Sequence, residues 1–250
     1  MGRLTEAVKF LIIINVMVYL GSLMLGDVAY KLFSLYYFEN PNFQFWQPIT
    51  HMFMHDRSNF MHIFFNMFAL FMFGSPLESR WGKRKFLFFY FSAGIGAALI
   101  HNVVGYIQIQ TTMDALLSGG WSSQDISNFL STGTGGSQAI LDTVPIDKIN
   151  NMFANFNTPA VGASGAVYGV LVAFGLMYPN AELMLIFLPI PIKAKYFIPG
   201  LLLLDLFSGL TGFSLFGQNI ANWAHIGGAL FGFIMAYYWK KNSFDDHRWD

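Results

Sequence analysis

The chain has no cysteine among its 250 residues. Disulfide scaffolds, thiolate nucleophiles and zinc–thiolate sites are excluded on that ground. Charge is scarce too. Asp, Glu, Lys and Arg make up 11% of the chain, against roughly a quarter in soluble domains. The few charges cancel, 14 basic against 14 acidic, so no basic field marks a nucleic-acid partner. Apolar residues take their place: 54% of positions are hydrophobic, 28 of them Phe, and the mean hydropathy is +0.46. Most of the surface must therefore face something other than water. The composition reads as one polytopic membrane domain over residues 1–250, with membrane lipid as its surroundings.

Six apolar segments of about 15–22 residues are read as membrane spans. They run roughly Ala7 to Leu25, Phe60 to Leu77, Phe86 to Ile107, Ala163 to Tyr178, Tyr196 to Leu210 and Ile220 to Trp239. Backbone groups in lipid need partners within their own segment, so all are expected to be helices. A further run, Leu183 to Ile192, is short and holds Pro189 and Pro191; it is expected as a re-entrant or interfacial hairpin. The first segment is too long for a signal peptide, and no small-residue cleavage site closes it before Asp27. Arg3, Lys9, Arg80, Lys83, Arg84, Lys85, Lys193, Lys195, Lys240, Lys241 and Arg248 all fall on one side of six spans. Basic loops stay cytoplasmic, so both termini are expected there. A short lead before the first span and no transit-like extension point to a bacterial plasma (inner) membrane.

Two long connections lie on the other side. Gly26 to Asn59 carries Phe33, Tyr36, Tyr37, Phe38, Phe43, Phe45 and Trp46, an aromatic belt suited to the headgroup region. About 108–159 is expected as an outer-face insertion with short helices near Ser123 to Leu130 and Pro145 to Phe153. A linker and a substrate-contacting element are both open for it.

The chemistry centres on Gly162-Ala163-Ser164-Gly165-Ala166-Val167-Tyr168-Gly169. Ser164 has small neighbours on both sides, so its hydroxyl is approachable. Gly165 and Gly169 form G-x-x-x-G, and Gly228 and Gly232 form another three residues beyond His225. Such motifs let helix backbones approach closely. If the two glycine faces meet, Ser164 and His225 reach neighbouring levels of one interface. A serine becomes nucleophilic beside a base, and histidine is the usual one. Ser164 also falls near the start of its span, where free N–H groups and the positive dipole end stabilise an oxyanion. His62 and Asn66 are four apart and share a helix face. They read either as donors toward developing negative charge or as an interhelical polar clasp. His51 and His55 are also four apart, but Met52 stands where H-E-x-x-H has Glu, so no metal is expected and the pair is expected to pin the outer loop. His101 has no evident partner. Asp205, near the outer end of the fifth span, is not placed behind His225 by any spacing, and it stays outside the catalytic set.

These motifs together resemble the rhomboid intramembrane serine proteases. The matches are G-A-S-G at Gly162–Gly165 with Tyr168, Ala224-His225 followed by Gly227, Gly228 and Gly232, H-x-x-x-N at His62 and Asn66, and Glu78-Ser79-Arg80-Trp81-Gly82. They occur in order from about Trp46 to the end of the sixth span. The resemblance implies a six-helix bundle whose short central helix carries the serine at the floor of a water-filled cavity. Ser164 would be the nucleophile and His225 the general base, as a dyad without an acid. His62, Asn66 and the Ser164 N–H would form the oxyanion hole, and Tyr168 would stack on His225. The fifth span would act as a lateral gate and Ser208 to Asn219 as a cap, with Gly209, Gly212 and Gly217 as its mobile points. The family's Trp-Arg reads Trp46-Gln47 here, which removes the basis for a salt bridge or lipid contact by that arginine.

The implied activity is cleavage of single-pass transmembrane substrates near the outer membrane face, without a cofactor. A non-cleaving binder of transmembrane clients is the alternative; loss of Ser or His marks that class, and both are present. A transporter fits less well. The spans do not split into similar halves, and no run of charges lines a path.

Overall fold

The computed structural model describes residues 3–134, 144–185, 188–212 and 221–242. The chain is mostly helical: α1 Glu6–Leu25, α2 Asp27–Phe33, α3 Gln47–Thr50, α4 Phe60–Ala69, α5 Ser75–Trp81, α6 Lys83–Ser118, α7 Ser123–Thr132, α8 Ile146–Asn157, α9 Ser164–Met177, α10 Ala194–Thr211 and α11 Asn222–Asn242. Among the described residues, four helical stretches are long and apolar enough to cross a membrane: Glu6–Leu25, Phe60–Trp81, Lys83–Ser118 and Ala194–Thr211. The protein is an integral membrane protein. α11 has 21 residues, and α9 is apolar with only 14. At 1.5 Å per residue α9 is about 21 Å long, shorter than a hydrocarbon core of about 30 Å.

Within the Phe60–Trp81 stretch, a π-turn at Leu70–Gly74 joins α4 to α5. Pro76 explains the irregularity, because it has no N–H to return to Met72. Beyond this stretch the chain turns at Gly82 and enters α6. Glu78, buried near the end of α5, caps the start of α1. Its Oε1 accepts from Ala7 N–H at 2.8 Å and its Oε2 from Val8 N–H at 2.9 Å, with Thr5 Oγ1 donating as well. A carboxylate on a helix N-terminus satisfies orphan donors and opposes the dipole.

α6 does not end at Ile107. It continues as one helix to Ser118, about 54 Å in all. The first part of the outer connection is thus a rigid extension rather than a loop. α7 and α8 pack on it through Ile109, Leu116, Trp121, Ile126, Leu130, Ile149 and Met152, a second apolar cluster apart from the main core. α7 starts with a capping box of Ser122 and Asp125. The Gly/Ser run from Gly135 to Ser137 lies outside the described residues.

Between α9 and α10, strands β1 (Glu182–Leu185) and β2 (Leu188–Lys193) pair antiparallel, Glu182 opposite Lys193 and Leu183 opposite Ile192. A hairpin was expected here. Its strands use backbone pairing instead of a helix because Pro189 and Pro191 forbid one.

The core centres on α9, which packs between α6 and α11. Cβ atoms are what this packing cannot hold. One at Gly232 would sit 2.5 Å from Gly169 Cα, one at Gly169 2.6 Å from Ala93 Cβ, and one at Gly228 would run into Gly165 O. The two glycine motifs therefore do face each other.

The connection from Gly26 to Asn59, loop one, is held by its polar side chains. Gln47 is fully buried, its Nε2 donating to Asn42 O at 2.9 Å and Lys31 O at 3.2 Å, its Oε1 accepting from Tyr36 N–H at 3.2 Å. That clamp is neutral: Gln47 bonds to backbone where the resembled motif has an arginine. His51 Nδ1–H donates to Gln47 O at 2.9 Å, and the Tyr30 hydroxyl donates to His55 O at 2.6 Å. Both rings are buried, and desolvation pushes His51 down to about 4 and His55 down to about 3.

Two predictions follow from this packing. Gly228→Ala should lower the thermal stability of the detergent-solubilised protein by an amount typical of overpacking, about 1–3 kcal/mol. Gly21→Ala, where nothing lies within 4 Å, should not; equal effects would contradict the close approach. The second concerns pH. His51 and His55 titrate lower folded than unfolded, where a histidine sits near 6.5. The unfolded chain therefore binds more protons between about pH 6.5 and pH 4, and stability falls as pH drops through that window. Melting curves of His51→Gln/His55→Gln should flatten this slope relative to wild type; an unchanged slope would refute it.

Candidate active site

Ser164 is the first residue of α9. Its position is fixed by the segment before it, which loop one holds at two points. Leu35 and Ala160 exchange both backbone hydrogen bonds, at 2.9 and 2.8 Å, and Gly162 N–H donates to His51 O at 3.0 Å. Gly162 has φ +125°, which L side chains rarely adopt, and a Cβ there would meet His62 Nε2 at 2.9 Å. The chain then turns into α9, leaving the N–H groups of Ser164 and Gly165 without intrahelical acceptors.

His225 lies in the first turns of α11, held there by the glycine contact with α9. Its Nε2 is 2.9 Å from Ser164 Oγ. The Tyr168 ring, one turn after Ser164 on α9, stacks on the imidazole with centroids 4.1 Å apart and planes 10° from parallel. Both the serine–histidine pairing and the stacking were expected, the first from the glycine motifs and the second from the resemblance.

His62 is on the other side of Gly162. Asp56 N–H donates to its Nδ1 at 3.2 Å. That assigns the ring proton to Nε2, the nitrogen facing Gly162. Asn66 is buried, but its Nδ2 donates to His62 O at 2.8 Å on its own helix. It makes no hydrogen bond to Ser164 or His225 in this state. His51 and His55 do not form a metal centre with a third group; among the described residues no cluster of three His, Cys, Asp or Glu is found. His101 Nδ1 is buried and makes no hydrogen bond. It lines a narrow cleft with Tyr37, Asn102, Asn155 and Trp223. Of the expected cap, 213–219 lie outside the described residues, Gly217 among them.

Asp205 corrects the sequence reading. Its Oδ1 is 3.1 Å from His225 Nδ1, and both side chains are about nine-tenths buried, at 10% and 11% exposure. The missed signal was its isolation: Asp205 is the only acidic residue of α10, and an ionisable group inside a span requires a partner. His225 is 20 residues downstream across a turn, and no helical periodicity links them.

Comparison with known proteins shows the family. Residues 42–124 and 127–242 match the model of the Rhomboid domain. The rhomboid protease AarA of Providencia stuartii is 26% identical over 76% of this chain and 54% of its own length. The rhomboid protease GlpG of Yersinia pestis (strain Pestoides F) is 25% identical over 97% of this chain and 64% of its own. The human mitochondrial presenilin-associated rhomboid-like protein is 26% identical over 72% and 36%. The chain thus spans between about a third and two thirds of these relatives' lengths. With the Rhomboid domain matched across most of its length, from loop one through α11, the chain belongs to the rhomboid family.

Proposed function

We propose that this rhomboid is an intramembrane serine endopeptidase that cuts single-pass transmembrane proteins near the outer membrane face. The observation that carries the reading is the 2.9 Å contact between Ser164 Oγ and His225 Nε2 at the N-terminus of a helix. The likeness to AarA and GlpG, both named rhomboid proteases, supports it. In this reading the bundle has six spans, formed by α1, α4–α5, α6, α9, α10 and α11, as a single domain with both termini cytoplasmic. The outer insertion stands on the extension of α6. Basic residues at Arg80 to Lys85 and at Lys240–Lys241 support that orientation. The membrane is the bacterial inner membrane.

The chemistry follows from the side chains. As Ser164 Oγ attacks a peptide carbonyl carbon, its proton passes to His225 Nε2 and the carbonyl π pair moves onto oxygen. The oxyanion is received by the free N–H of Ser164 and by His62 Nε2–H. Asn66 joins them by turning one amide hydrogen outward. When the C–N bond breaks, Nε2 returns its proton to the leaving amine and an acyl-enzyme remains. Water, deprotonated by His225, then attacks the ester and frees Ser164. Tyr168 keeps the ring plane fixed throughout. Gly162 leaves room for the substrate backbone. No cofactor enters this sequence.

A substrate helix hides its carbonyls in its own i to i−4 bonds. It must unwind before Ser164 can reach one, so Gly, Pro and other helix-breakers near the outer face favour cleavage. α10 is the least buried of the four helical stretches long and apolar enough to cross a membrane. It is therefore the element a transmembrane substrate displaces most easily.

With a single-span model substrate in detergent, wild type is expected to cleave, and Ser164→Ala or His225→Ala to lose cleavage. Equal rates would overturn the pairing. Wild type that binds the substrate without cutting would support the non-cleaving alternative. His62→Ala removes one oxyanion donor and should lower kcat by about 10²–10³-fold, with KM little changed; an effect on KM alone would assign His62 to binding.

A further inference from the structure

We propose that Asp205 is a positioning residue for His225, so that the site works as a serine–histidine–aspartate series rather than as a pair. The inference rests on the protease reading above and adds a residue to it. The observations are geometric. Asp205 Oδ1 lies 3.1 Å from His225 Nδ1, on the opposite side of the ring from the Nε2 that meets Ser164. Asp205 is 8% exposed and His225 9%.

Tyr168 alone does not orient this ring. Stacking fixes the imidazole plane, but a half-turn about the Cβ–Cγ bond preserves that plane. It exchanges Nε2 for a carbon-bearing edge and takes the base away from Ser164. Only a contact in the plane of the ring separates the two orientations. Asp205 supplies that contact. It also selects the tautomer. A carboxylate accepts and does not donate, so the proton of a neutral imidazole is drawn to Nδ1 and Nε2 is left as the acceptor for Ser164 Oγ–H. During attack the ring becomes a cation, and the carboxylate lies beside it in a low-dielectric surrounding where the attraction is strong.

A purely structural reading competes: the contact joins α10 to α11 and holds the bundle together. The two readings part on what the contact does to Nε2. The Tyr168 side chain also hydrogen-bonds Asp205, so the carboxylate meets both the imidazole and the ring stacked on it. A neutral amide or hydroxyl would join α10 to α11 at lower desolvation cost than a buried carboxylate. Asp205 also rides on α10, the least buried of the long helices, where an acidic residue is costly unless it serves its partner.

The test combines kinetics with spectroscopy on the full chain in detergent. In Asp205→Asn, kcat on the model substrate should fall by about 100-fold or more, by analogy with soluble triads, while KM and melting temperature stay close to wild type. Asp205→Glu should recover part of the loss. In wild type, ¹⁵N shifts of labelled His225 should report a neutral ring protonated at Nδ1. Unchanged kcat in a folded Asp205→Asn overturns the proposal. So does a wild-type ring protonated at Nε2, and that measurement decides the matter even if Asp205→Asn does not fold. Wild type that shows no Ser164-dependent cleavage overturns the protease reading, and this role with it. Wild type that cuts, beside an Asp205→Asn that cuts equally fast, removes only Asp205.

Discussion

Everything at the site depends on how closely two helix backbones approach. α9 and α11 meet at Gly165, Gly169, Gly228 and Gly232, with no Cβ between them. In lipid no hydrophobic force drives helices together, so dense packing of small residues has to do it. The closeness sets the depth of His225 relative to Ser164, and with it the 2.9 Å contact. One bulky residue at this seam would separate the base from the hydroxyl before any chemical group was altered.

A second constraint acts on the other end of Ser164. A 14-residue helix cannot cross the bilayer alone, so the chain must enter it below the surface. That entry carries polar backbone into an apolar region, where each group needs a partner. Loop one supplies them through Leu35 and His51, and is itself held by the buried Gln47. The same hydrogen bonds that satisfy the descending strand also hold Gly162 against His62. Fold and site are therefore stabilised by one network. The outer cluster on α6 lies apart from it, built on a helix that outruns the membrane.

Much of this was legible in the sequence, for physical reasons. Hydropathy marks lipid-facing helices because lipid imposes one requirement along the whole length of a span. The proximity of Ser164 and His225 was legible because glycine spacing encodes the distance between helices. The hairpin after α9 was legible from its two prolines. What was not legible depended on contacts between elements without a shared period. α6 runs past Ile107 because Gln108 to Ser118 can stay helical in water when α7 and α8 cover one face, and hydropathy sees only the lipid. The burial of Gln47 depends on three backbone groups of loop one that no local pattern predicts. Asp205 was missed because nothing in its own helix indicates which neighbour it faces, although its isolation among leucines marked it as needing one.

The account stands on Ser164 being activated by His225. The most direct measurement is reaction of the purified protein with a fluorophosphonate, with the modified residue located by mass spectrometry. The account predicts a single adduct on Ser164 in wild type and loss of that adduct in His225→Ala. A wild-type protein that is not labelled at Ser164, or a His225→Ala protein labelled there at the same rate, would contradict it.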